Sequence, residues 1–447
     1  MRKAGGHCTF TFLLSFFLFQ AAGQDQAALF GDSAWTTHFQ FTGIFQAHPS
    51  FHTTYRGQNS LSSEKEKAFS ITSTLFIGRA LWRGASFYFN PEMAGGRGLS
   101  STLGVAGFPN GETFRIGNPD PTIYVGRLFY RQYIALHHSA WVDKPSDVNQ
   151  VQEKIPVSRL TINAGKFGLA DFFDANPVSH DPRSDFMNWS LMNNGAYDYA
   201  ANTRGYTVGL VIEYIEPGWA IRAGTALVPT YANGPYLDHN YFKSNSETVE
   251  LEKNFTIHQL PGTVRLLGYF NVSKAPNYDA LVQAKVDGTD SSLDAIYGKQ
   301  YGGKKIGFGL NADQLLSKYV HAFVRLGWND GKTATWAFAE IDNTLSGGIK
   351  ILGELWKRKA DDIGLALVSN GISSNHRNFL NAGGYGFMIG DGKLPNYGRE
   401  GIMEAFYQAK ILNFLWGTID YQFIANPAYN KDRGPAHVFS ARVHVEF

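Results

Sequence analysis

The chain has 447 residues, with 40 basic and 38 acidic side chains, a formal charge of +2 and a single cysteine. That balance excludes a polyanion-binding surface as its organising feature, so no nucleic acid partner is expected. Aromatic residues make up 15% of the chain and glycine fills 48 positions, a composition that a soluble β-protein shares with a membrane barrel, whose lipid-facing and water-facing residues alternate.

The first element is a targeting segment. Arg2 and Lys3 open it, Thr9 to Phe19 is an apolar run too short to cross a bilayer as a helix, and Ala21-Ala22-Gly23 provides small residues for cleavage. Residues 1–23 are therefore expected to be a cleaved signal peptide, and residues 24–447 one domain beginning at Gln24. The single cysteine, Cys8, falls inside the leader, so the exported chain is expected to carry no disulfide, thiolate metal site or cysteine nucleophile. Without Arg2 and Lys3 the 40 basic residues become 38, equal to the acidic total.

Beyond the leader the periodicity is mostly two. Phe87 and Phe89 oppose Ser86, Tyr88, Asn90 and Glu92. Over 122–136, Tyr124, Leu128, Tyr130 and Ile134 form an apolar row, with Arg127, Phe129 and Arg131 opposite. Leu160 and Ile162 oppose Thr161 and Asn163; Val208, Leu210 and Ile212 oppose Thr207 and Glu213; Val324, Leu326 and Trp328 oppose Phe323 and Arg325. Such rows predict half-buried strands. Turn pairs from Asn110-Gly111 to Asp391-Gly392 separate them and predict positive-φ turns. Ala312 to Ser317 is predicted as one short helix.

The final strand decides between a sandwich and a barrel. Phe439, Ala441, Val443, Val445 and the terminal Phe447 alternate with Ser440, Arg442, His444 and Glu446. An alternating strand closing on an aromatic residue is the pattern of bacterial outer-membrane barrels. The fold class expected is all-β, a transmembrane antiparallel barrel with a water-filled lumen. At roughly 25 residues per strand and loop it has about 16 strands.

Inward candidates follow from strand parity. Asn90 and Glu92 share a face, as do Arg127 and Arg131; Arg79 and Arg83 join them if pairing runs through Trp82. An arginine facing mid-bilayer costs about 2–4 kcal/mol, which favours the lumen. These six are the expected pore-lining contacts for substrate. The cluster from Asp171 to Asp185 sits in a long loop expected to fold inward or across the mouth. Its spacing matches no metal motif, and no HExxH, GxSxG or phosphate-binding loop occurs anywhere. No enzyme activity, cofactor or metal is expected.

Four blocks carry a more specific resemblance. They are Phe89-Asn90-Pro91-Glu92 with Gly107-Phe108-Pro109-Asn110-Gly111-Glu112; the run from Lys166 through Ser179-His180-Asp181-Pro182-Arg183 to Gly205-Tyr206; Gly327-Trp328-Asn329-Asp330-Gly331; and Ser374-Asn375-His376-Arg377 with Asn426 to Pro435. In this order they resemble the carbohydrate-selective (OprB-type) porins of Gram-negative outer membranes, from about residue 69 to the end. The stretch from Gln24 to Glu66 departs from that family.

The resemblance implies a 16-stranded, monomeric outer-membrane barrel passing small neutral sugars, glucose-like monosaccharides above all. It also implies contact with outer-membrane lipid and assembly by the barrel-assembly machinery through the strand ending in Phe447. The alternatives are a general diffusion porin, an outer-membrane hydrolase and a secreted carbohydrate-binding protein.

Overall fold

An alternating strand can satisfy its backbone in a low-dielectric setting only if it is paired along both edges. The computed structural model, which describes residues 34–117, 119–137 and 139–447, shows that solution. Sixteen antiparallel strands close into one barrel, from Trp35–His48 to Ala436–Glu446. These first and last strands pair with each other, Phe41 opposite Val445 and Ile44 opposite Arg442, which removes the free edges. Residues 1–33, with the expected leader and Gln24, lie outside the described residues.

The alternation reads directly as two faces. Phe69, Ile123, Leu251, Phe308, Leu367, Ile419 and Phe439 are exposed on the outside, an apolar girdle far larger than a water-facing monomer tolerates. Their strand neighbours point inward and are polar: Thr72, Asn163, Glu250, Asn311, Arg325 and Arg442 are all buried.

The two ends of the barrel differ. At one end the connections are mostly minimal, as at Arg83-Gly84, Pro217-Gly218, His258-Gln259 and Lys318-Tyr319, where Gly84 and Gly218 supply positive φ. At the other they are long, notably 97–121, 168–206, 274–302 and 372–399. The Asn-Gly and Asp-Gly pairs lie at this long-loop end rather than in the tight hairpins, and only some adopt positive φ, Gly288, Gly331 and Gly392 among them. Here loop–wall hydrogen bonds set the backbone, not the dipeptide.

The apolar core lies inside the barrel. Phe108, Phe173, Phe186, Trp189, Trp336 and Phe379, all from long loops, are buried against one another within the wall. The stretch Ala312 to Ser317 is not helical; it ends the strand Gly303–Ser317, with Ala312 opposite Val324 and Asp313 opposite Phe323. Pairing on both sides, and the Arg265–Asp313 ion pair at 3.0 Å, override the helical preference of Ala, Gln and Leu.

Candidate functional site

Two neighbouring strands, Ala85–Gly96 and Thr122–Ala135, build one side of the passage. Asn90 and Glu92 point inward from the first, Arg127 and Arg131 from the second, as parity predicts. One feature escapes parity. A bulge between Asn90 and Pro91 lets Arg127 pair with Asn90 while Tyr124 pairs with Glu92, so Tyr124 turns inward, away from the apolar row assigned to it. Its hydroxyl hydrogen-bonds to the Glu92 carboxylate.

Arg79 and Arg83 do not join this group. Arg79 pairs with Trp35 and Phe87 on the outward face, its guanidinium 4.5 Å from the Trp35 ring. Arg83 sits in the tight turn, 4.0 Å over Trp141. Both lie at the short-turn end, where a guanidinium reaches water at the rim and avoids the cost of mid-bilayer burial.

The opposite side of the passage is the loop 168–206, folded into the lumen. Arg127 grips Asp171 with two parallel bonds, Nε to Oδ2 at 2.7 Å and Nη2 to Oδ1 at 2.6 Å. Gly168 N donates to the same carboxylate at 3.1 Å. Arg183 Nε donates to Glu112 at 2.9 Å, and its Nη2 lies 3.6 Å from Glu92. Glu92 also accepts from Thr74 Oγ1 at 2.9 Å and Tyr206 OH at 2.8 Å. Arg204 lies between the rings of Phe114 and Tyr124, at 4.4 and 4.1 Å.

These contacts divide the lumen. A cavity of about 210 Å³ lies on the long-loop side, with Phe114, Tyr124, Arg204 and Tyr206 in its walls. A second, of about 580 Å³, lies toward the short turns, with Arg131, Asn149 and Gln150 in its walls. Arg127, Asp171, His180, Asp181 and Arg183 line both, so the two cavities meet at these residues. The junction presents guanidinium donors beside carboxylate acceptors, a set that can replace water around a polyhydroxyl solute.

Burial alone would raise the Asp171 carboxyl, but the Arg127 guanidinium beside it prevails and holds it below the ordinary carboxylate range. Asp181 is likewise lowered, burial being overcome by Arg183. A depressed folded pKa means that stabilisation is present above the unfolded value and fades as pH falls through the folded one. Asp171 and Asp181 are therefore expected to stay ionised from pH 8 down to about 4, and the Arg127–Asp171 contact to weaken only below that. The carboxylate band that Asp171→Asn removes from the infrared spectrum, followed across that range, checks this; its loss above pH 5 contradicts it.

Most other inward charges are consumed by structure. Arg325 Nη1 donates to Leu191 O at 2.8 Å, and Nη2 to Ser179 O at 2.7 Å. Arg442 Nη1 donates to Pro182 O and Asp185 O, each at 2.7 Å. Glu404 accepts from Met187 N and Asn188 N, and Glu250 from Asp174 N. Arg222 holds Glu213, Glu250 and Glu252 within 3.1 Å. These wall residues hold the loop in place, and inward parity was the one sequence signal that marked them. Among the described residues no three His, Cys, Asp or Glu side chains gather as metal ligands.

The arrangement has counterparts among known proteins. The family model described as carbohydrate-selective porin, OprB family, matches residues 58–447. A high-pH structure of Pseudomonas putida OprB superposes with a TM-score of 0.70 and 18% identity, over 93% of this chain and 95% of that one. The outer membrane channel DcaP of Acinetobacter baumannii superposes with a TM-score of 0.50 and 6% identity, over 94% of this chain and 100% of that one. At such identities the structural likeness concerns the fold. No curated protein sequence matches the chain significantly.

Proposed function

The chain belongs to the carbohydrate-selective porin family, and from that premise we propose that small neutral sugars of the glucose class are selected where Arg127 and Asp171 meet the lumen. The protein is an outer-membrane channel and not an enzyme. The observation that carries the finer reading is the meeting of the two cavities at Arg127, Asp171, His180, Asp181 and Arg183. A hexose entering this narrowing gives up water and gains charge-assisted hydrogen bonds from a fixed set of donors and acceptors, while two open cavities on either side let it leave.

Glucose titrated onto single channels in a planar bilayer tests this. Ion current is expected to fall with concentration and saturate; a current that falls only in proportion to solution viscosity would identify a general diffusion pore instead.

Further features support the remaining assignments. The uncovered apolar girdle supports contact with outer-membrane lipid. In such barrels short turns face the periplasm and long loops the exterior, which orients the chain. The last strand ends against Phe447, whose ring stacks on Phe414 at 5.1 Å, and we read it as the element presented to the barrel-assembly machinery. Deleting Phe447 is expected to lower the amount of heat-modifiable barrel in the outer membrane several-fold, measured by immunoblot of membrane fractions. The composition of residues 1–23 supports a cleaved leader, and mass spectrometry of the membrane protein is expected to find Gln24 at its N-terminus.

A further inference from the structure

The connection between the strands Thr122–Ala135 and Arg159–Phe167 breaks the rule of its end. Where neighbouring turns there use two residues, this one runs from 136 to 158 and carries its own hairpin, Trp141–Lys144 paired with Glu153–Pro156. The hairpin tip turns into the barrel. Val151 is fully buried and its N–H donates to Tyr88 OH at 3.3 Å. Asn149 accepts from Asn90 Nδ2 at 2.7 Å and, through its carbonyl, from Arg131 Nη1 at 3.0 Å. Ser146 Oγ bonds to Thr36 and, at 2.9 Å, to His38 Nε2. Ser86 Oγ donates to Glu153 at 3.2 Å. The tip itself is closed by reciprocal backbone bonds between Asp147 and Gln150, at 3.0 and 2.9 Å.

Three wall strands therefore hold a rigid turn inside the lumen. Its Lys144, Asp147, Asn149 and Gln150 line the cavity of about 580 Å³ whose far wall is the Arg127–Asp171 pair. We propose that the hairpin tip at 144–150 is a second narrowing on the sugar path, in series with the first and on its periplasmic side, where it offers an ammonium, a carboxylate and two amides to the departing sugar. This deepens the sugar-selective reading and rests on it. Two resistances in series make the total sensitive to either one, and sugar arriving from the periplasm meets the hairpin before it meets Arg127.

The test uses the full-length channel. Because the only cysteine lies in the leader, Asp147→Cys alone places one thiol on the exposed tip of the exported channel. Reaction with a bulky, membrane-impermeant thiosulfonate applied from the periplasmic side is expected to cut single-channel conductance about two-fold. A second protein, in which a Gly-Ser-Gly turn replaces residues 143–154, is expected to conduct about two-fold better than the native channel. Unchanged conductance in the thiol-modified channel overturns the proposal even if the shortened protein fails to fold. Glucose block in the unmodified channel is read separately. Its absence would refute the sugar site at Arg127, whereas the conductance changes decide the hairpin alone.

Discussion

An Arg325→Ala channel is expected to conduct several-fold more current than the native one, with increased open-channel noise and weakened glucose block. Arg325 is fully buried on the strand Val320–Asn329. It supports the inner loop from beneath, donating to Leu191 O, Ser179 O and Asp174 O at 2.7–3.2 Å. Its Nε lies 2.9 Å from Asp174 Oδ2, a charge contact without the line-up of a hydrogen bond.

Truncation leaves three buried carbonyls short of a donor and a carboxylate short of its counter-charge. Breaking a buried pair in this way costs about 3–5 kcal/mol. The cost falls on the loop and not on the barrel, because the 16-strand ladder is closed without it. Asp174 keeps Asn194 N at 2.7 Å and Asn311 Nδ2 at 2.8 Å, so the loop is expected to loosen around 176–191 and not to leave the lumen altogether. Arg325→Lys retains the charge but not the fork, and is expected to fall between the two. Conductance and noise equal to native values in Arg325→Ala would show that the loop is held by its apolar contacts alone.

The second large effect is expected at the junction. Arg127→Ala removes two short charge-assisted bonds and leaves Asp171 unpaired, and glucose affinity measured from current block is expected to drop about ten-fold, the size of one charged hydrogen bond. Asp171→Asn has a different signature. It leaves the guanidinium uncompensated in the narrowing, so the reversal potential in a salt gradient is expected to move toward anion selectivity, with a smaller loss of glucose block. Arg79→Ala is the matched control: its guanidinium lies over Trp35 on the outward face, and block and selectivity are expected to stay native. Equal losses in Arg79→Ala and Arg127→Ala would mean that charge in the wall at large, and not the junction, governs the sugar.

Particular residues show what could be read in advance. The opposed rows at Phe87 and Asn90, at Leu160 and Thr161, and at Phe439 and Arg442 each fell on the faces their parity assigned. Arg127 and Arg131 did so as well. Tyr124 did not, because one bulge opposite Asn90 shifts parity for the remainder of its strand. Arg79 was misplaced by following the row through Trp82, although the hairpin pairs it with outward Phe87. The inward loop showed in the sequence only as a polar cluster from Asp171 to Asp185, and the hairpin after Ala135 showed nothing.

The sequence by itself determined the all-β class, the two faces of the strands it marked away from the bulge at Asn90, and the closing aromatic residue, since a two-residue period is set within each strand by the backbone alone. What fills the barrel was decided only in three dimensions. The donors that hold the inner loop find carbonyls far along the chain, Arg442 reaching Pro182 across 260 positions. No local pattern encodes such a partner, because a carbonyl is identical in every residue and only the closed barrel brings it near.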